Sequence, residues 1–70
     1  MNIILNGANE VLDKEISVQN FIENLSEEKK INLSGAVILI NTDLVKKDNW
    51  HKTIIKENDD IEVLAFVSGG

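Results

Sequence analysis

Residues Ala36-Val37-Ile38-Leu39-Ile40 form an unbroken apolar run in a chain of only 70 residues. A membrane-crossing helix needs about 20 apolar residues, so the run is far too short to be one. Gly35 precedes it and the turn-forming Asn41-Thr42-Asp43 follows. The pattern suits a strand buried on both faces, and hence one central in its sheet. A central strand obliges the rest of this short chain to supply its neighbours and its cover.

The remaining sequence supplies candidates. Ile3-Ile4-Leu5 is a strand-like run, and Asn6-Gly7 after it favours a tight hairpin turn. The returning strand is expected over Val11 to Ile16, with Leu12 and Ile16 on one side of the alternation. Ser17 is placed to cap a helix through its hydroxyl. Val18, Phe21, Ile22 and Leu25 follow at i, i+3, i+4 and i+7, one face of that helix. The charged stretch Ser26 to Lys30 reads as the start of a solvated loop, which Ile31 and Leu33 pin to the core. Leu44-Val45 is expected as a brief strand and Asp48 to His51 as one helical turn. Trp50 and Ile54, four residues apart, are both expected to face the core, with the Trp50 indole N–H finding a partner. Asn58 suits a left-handed backbone position in the acidic turn Glu57-Asn58-Asp59-Asp60. The last strand runs from Ile61 to Val67.

The order is two strands, a helix, a strand, a short strand and a strand. One helix and a small mixed sheet make an α+β domain over residues 1–70. With the first and last strands side by side and the helix packed across one face, the arrangement is a β-grasp.

Composition excludes several kinds of function. There is no cysteine, so disulfides, thiolate metal sites and a thiol nucleophile are absent. Seven basic and twelve acidic side chains give a net charge of −5, without the basic stripe that nucleic-acid binding needs. Met1-Asn2-Ile3 lacks the basic segment of a secretory signal. These features lead to the expectation of a cytoplasmic protein that meets protein partners rather than nucleic acid or membrane. No nucleotide-binding glycine motif occurs. His51 is the only histidine and reads as an exposed turn residue rather than a metal ligand.

Two features resist a purely structural reading. Leu64 and Phe66 fall on the side of the last strand that is expected to be wet, which points to a contact surface or to cover by another element. The sequence then reads Ser68-Gly69-Gly70. Two glycines are thin enough to thread a narrow slot, and a terminal α-carboxylate is ionised at neutral pH and a poor electrophile. It accepts a nucleophile only after activation, for example as a mixed anhydride with AMP, and a partner enzyme would have to perform that step.

With these parts in place the sequence resembles the ThiS/MoaD group of ubiquitin-like sulfur carriers, nearest its thiamine-pathway branch. The resemblance covers essentially the whole chain: "MNIILNG", the helix from "SVQNFIENL", the block "AVILINTDLVKKDNW" and the ending "ENDDIEVLAFVSGG". Two positions depart from the family pattern. Asn58 stands where glycine is usual, in a backbone region asparagine tolerates, and Lys46 stands where proline is common.

The resemblance implies a protein co-substrate rather than an enzyme. An E1-like adenylyltransferase of the ThiF type, using ATP and magnesium that this chain does not itself bind, would adenylate the Gly70 carboxylate. Sulfur from a donor such as a cysteine desulfurase would then yield a thiocarboxylate, and a thiazole synthase of the ThiG type would take that sulfur. Gly69 and Gly70 are the expected reacting end of a flexible tail, 67–70. Leu64, Phe66, Val67 and Ser68 are the expected docking residues. Alternatives are the sulfur-carrying small subunit of molybdopterin synthase, a ubiquitin-like modifier that joins Gly70 to a lysine, and an adaptor with an idle tail.

Overall fold

In the computed structural model residues 1–65 are described. Strands β1 (Asn2–Leu5) and β2 (Ala8–Val11) form the N-terminal hairpin. Its two turn residues have positive φ, 49° at Asn6 and 84° at Gly7, as a type I′ turn requires. So tight a turn pairs Leu5 with Ala8 directly. The returning strand therefore occupies Ala8–Val11, not Val11 to Ile16. Ile16–Ser17 forms a separate short strand, β3.

Helix α1 (Val18–Lys29) starts where its cap was expected. The Ser17 hydroxyl accepts from the Asn20 N–H at 3.1 Å. The two preceding amides are satisfied from elsewhere: Val18 N–H donates to the Thr53 carbonyl at 2.8 Å and Gln19 N–H to the Trp50 carbonyl at 3.0 Å. The open donors of the first turn thus tie the helix to the segment 50–53. Val18, Phe21 and Ile22 are buried and Leu25 is half-buried.

The helix runs through the charged stretch expected to be loop. Lys29 sits in its last turn, where a cation suits the carbonyl end. Lys30 takes the left-handed conformation (φ 57°) that closes it. The Lys30 and Ile31 amides both donate to the Ser26 carbonyl, and the Ser26 hydroxyl donates to the Ile31 carbonyl. Of the two expected pins, Leu33 is buried and Ile31 is exposed.

Strands β4 (Val37–Ile40) and β5 (Asp43–Val45) form a second hairpin. A 3-10 turn over Lys47–Asn49 follows, and then β6 (Ile54–Ile55), which pairs antiparallel with β3. This small second sheet had no counterpart in the sequence reading, because two-residue strands carry no periodicity. Its register sets Ile16 opposite Ile55 and Ser17 opposite Ile54. Ile55 is thereby the buried residue and Ile54 is exposed.

Strand β7 (Asp60–Leu64) completes a five-stranded sheet of order β2-β1-β7-β4-β5. It lies parallel to β1 and antiparallel to β4. The central strand is therefore β7, and β4 lies beside it. Ile38 of β4 is buried against the helix side, while Val37 and Leu39 on the other face are only half-buried. Their apolar character comes from neighbours along the sheet, not from a second covering layer.

The core gathers Ile3, Ile38 and Ile61 from the five-stranded sheet, Val18, Phe21 and Ile22 from α1, Ile55 from β6, and Leu33 and Trp50 from the connections. Trp50 is 2% exposed, and its indole N–H donates to the Val45 carbonyl at 3.0 Å. No helix among the described residues is long and apolar enough to cross a membrane.

Trp50 joins α1, β5 and the 3-10 turn, so its removal should be felt throughout. Trp50→Ala is expected to lower unfolding stability by about 3–5 kcal/mol. Trp50→Phe keeps most of the volume but withdraws the donor to Val45, and should cost about 1–3 kcal/mol. Urea unfolding of both variants measures the difference.

The open sheet face and the end of the central strand

Strand pairing fixes which side chains share a face. Ile3, Ile61 and Ile38 point toward α1. The alternate residues point away: Ile4 on β1, Asp60, Glu62 and Leu64 on β7, and Val37 and Leu39 on β4. The register sets Ile4 beside Asp60, Glu62 opposite Leu39 and Leu64 opposite Val37. Leu44 on β5 extends the row, since it pairs with Leu39.

Among the described residues this face carries exposed aliphatic side chains. Ile4 is 37% exposed, Leu64 45% and Leu44 59%. Two carboxylates, Asp60 and Glu62, stand among them on the central strand. Charge amid exposed aliphatic side chains suits reversible contact with a partner that offers both apolar surface and a cation. Self-association is disfavoured by the net charge of −5.

Leu64 therefore lies where the sequence placed it, on the wet side of the last strand. The other members, Ile4, Val37, Leu39 and Leu44, were not singled out. The alternation of Ile3 and Ile4 was a usable signal for the first. Val37, Leu39 and Leu44 become visible only when β4 is set beside β7, because nothing local distinguishes the two faces of an all-apolar strand. Phe66, Val67, Ser68, Gly69 and Gly70 lie outside the described residues.

Hairpin-turn asparagines hold β7 toward both its ends. Asn41 has positive φ (52°), and its side chain turns back on β7. Its carbonyl oxygen accepts from Asp60 N–H at 3.0 Å, and its amide donates to Asp59 Oδ1 at 3.0 Å. Toward the other end, Asn6 Oδ1 accepts from Val63 N–H at 2.8 Å. The acidic turn before β7 is tied down as well. Asn58 adopts φ 69°, and its N–H donates to the Asn2 carbonyl at 2.7 Å. Glu57 accepts from Asn2 N–H at 2.9 Å and Asp59 Oδ2 from Lys56 N–H at 2.8 Å.

On the helix side, Val63 and Ala65 border a cleft of about 400 Å³ closed by Leu5, Leu25 and Ile31. Elsewhere, His51 is exposed beside Ile54. Among the described residues no three His, Asp or Glu side chains converge as a metal site would require.

Comparison with known proteins gives one family and one fold. A family model described as the ThiS family matches residues 3–70. The crystal structure of a thiamine biosynthesis protein (ThiS) from Geobacter metallireducens superposes with a TM-score of 0.83 at 24% identity, covering 100% of both chains. A solution NMR structure of a thiamine biosynthesis protein from the same organism gives a TM-score of 0.78 at 24% identity, covering 100% of this chain and 88% of that one. These likenesses show the β-grasp fold. No curated protein sequence matches the chain.

The two faces of β7 should respond differently to truncation. Ile61→Ala, at a side chain fully buried against α1, is expected to cost about 2–5 kcal/mol. Leu64→Ala, on the open face, should stay within about 1 kcal/mol of the unaltered protein. Thermal and urea unfolding of the pair test the assignment of faces.

Proposed function

The chain belongs to the ThiS family, and from that premise we propose that it is a sulfur carrier protein of thiamine biosynthesis, a co-substrate of other enzymes. The observation that carries this reading is the family match, which extends through the Gly-Gly at residues 69–70.

In this reading the chemistry resides on the Gly70 main chain. The Gly70 carboxylate attacks the α-phosphorus of ATP in the active site of an E1-like, ThiF-type adenylyltransferase that holds the magnesium. Pyrophosphate leaves and an acyl-adenylate forms. The terminal sulfur of a persulfide, supplied through a donor such as a cysteine desulfurase, displaces AMP to give an acyl disulfide; a thiol of the partner proteins then attacks the donor-side sulfur, leaving a disulfide there and a thiocarboxylate at Gly70. A ThiG-type thiazole synthase then takes the sulfur. Gly69, without a side chain, lets the end enter both sites in turn.

The body of the domain docks. We assign this role to the open sheet face, where Glu62 lies beside Leu39, Asp60 beside Ile4 and Leu44 beyond Leu39, and to Leu64, Phe66, Val67 and Ser68 leading into the tail at 67–70. Apolar contact supplies affinity, and the carboxylates set orientation against a basic partner surface. A chain without cysteine suits this use: the cargo travels on a main-chain carboxyl and meets no thiol of the carrier that could exchange with a persulfide.

Intact mass spectrometry of the protein from its own host tests the cargo. Replacement of one oxygen by sulfur at the C-terminus is the expected result. An amide conjugate to a lysine of another protein would instead make the chain a modifier. Deletion of Gly70 should abolish loading and leave the melting temperature unchanged. Leu44→Asp should raise the KM of the adenylating enzyme for the carrier about tenfold or more without unfolding it.

A further inference from the structure

The parallel ladder between β1 and β7 ends in an unusual way. Along β1, Ile4 N–H donates to the Asp59 carbonyl and Asn6 N–H to the Ile61 carbonyl, both at 2.9 Å. Parallel ladders are evenly spaced. The next bond in the series would run from Val63 N–H to the main-chain carbonyl of Asn6. At Asn6, however, β1 turns away into the hairpin with φ 49°. The acceptor that meets Val63 is the Asn6 side-chain carbonyl, at 2.8 Å. The side chain thus continues the ladder after the strand itself has left.

Its position matters because β7 loses its β1 neighbour here, one residue before its pairing with β4 also ends. Pairing with β1 ends at Leu5 and Ile61, and pairing with β4 ends at Val37 and Leu64. Val63 N–H is held on the β1 flank by Asn6 alone among the bonds described. Leu64 and Ala65, the residues that lead to the tail, are both exposed.

We propose that Asn6 is a positioning residue for sulfur loading: its side-chain carbonyl, bonded to Val63 N–H, aims the end of β7 and so the approach of the tail to the adenylating site. The proposal rests on the carrier reading above. Docking of the domain body and aiming of its end are then separable properties. The open face governs how well the carrier binds, and Asn6 governs how often the bound carrier presents its end correctly.

Two substitutions separate the acceptor from the turn. Asn6→Gly tolerates the positive φ and removes the acceptor. Asn6→Asp also tolerates that conformation and keeps a carboxylate acceptor. In Asn6→Gly the Val63 amide should exchange about five- to tenfold faster, while the Ile38 and Ile55 amides stay protected. With the adenylating enzyme, kcat for thiocarboxylate formation should fall about tenfold and KM should change by less than about twofold. Asn6→Asp should restore both the Val63 protection and kcat. A purely structural role would lower the melting temperature and leave kcat intact. Wild-type kcat in Asn6→Gly despite an unprotected Val63 amide overturns the proposal, as does a loss that Asn6→Asp does not repair. If the unaltered protein is not loaded at all, it is the carrier reading that fails. The aiming role is then decided by residual dipolar couplings of the Leu64 and Ala65 amides. A change in Asn6→Gly that Asn6→Asp reverses upholds it, and unchanged couplings overturn it.

Discussion

The insertion of β7 between β1 and β4 is the interaction on which the rest of the molecule depends. Without it the chain holds two separate hairpins, each too small to stand alone in water. With it, Ile3, Ile61 and Ile38 come side by side and form the floor against which Val18, Phe21 and Ile22 pack. Beyond the ladders with β1 and β4, bonds from parts of the chain distant in sequence fix β7 in this slot: Asn2 on the acidic turn before it, Asn41 at its start, Asn6 near its end. Three asparagines thus serve twice. Asn6, Asn41 and Asn58 each take the left-handed conformation of a turn and each bond across the sheet as well.

Much of this architecture was legible because it obeys local rules. Ser17 with the Val18, Phe21, Ile22 and Leu25 spacing announced a capped helix, Asn6-Gly7 announced a hairpin, and Asn58 announced a left-handed turn. The misreadings share a cause. Alternation over Val11 to Ile16 points to the return strand there, yet the geometry of a two-residue turn assigns it to Ala8–Val11. The charge over Ser26 to Lys30 points equally to a loop and to a solvated helix end, but a charged outer face does not end a helix; the Lys30 conformation does. The four-residue spacing from Trp50 points Ile54 at the core as though one helix joined them, whereas the segment straightens into β6, where Ile55 is the buried residue.

The open sheet face was legible only in part, for a reason that differs from these. Leu64 could be placed on an open face because its strand has a clear inside. Val37, Leu39 and Leu44 could not, since in an all-apolar run the two faces differ only by what lies next to them. Asn6 was read as a turn former, which it is. That its side chain also completes a ladder with Val63 depends on a partner strand 57 positions away in sequence, and no local pattern carries that information.

The placing of β7 also governs the order of events during synthesis. The strand in the middle of the sheet is made after all the others, so a nascent chain cannot close its sheet until translation has passed residue 64. Contacts of such sequence separation are slow to form and come late. Until then the apolar residues of both hairpins have no common floor and remain accessible to chaperones or to other chains. In the proposed carrier role, a partner that recognises the assembled face, with Glu62 beside Leu39 and Asp60 beside Ile4, consequently cannot engage an unfinished chain. The topology itself withholds the assembled face until its last strand has been made.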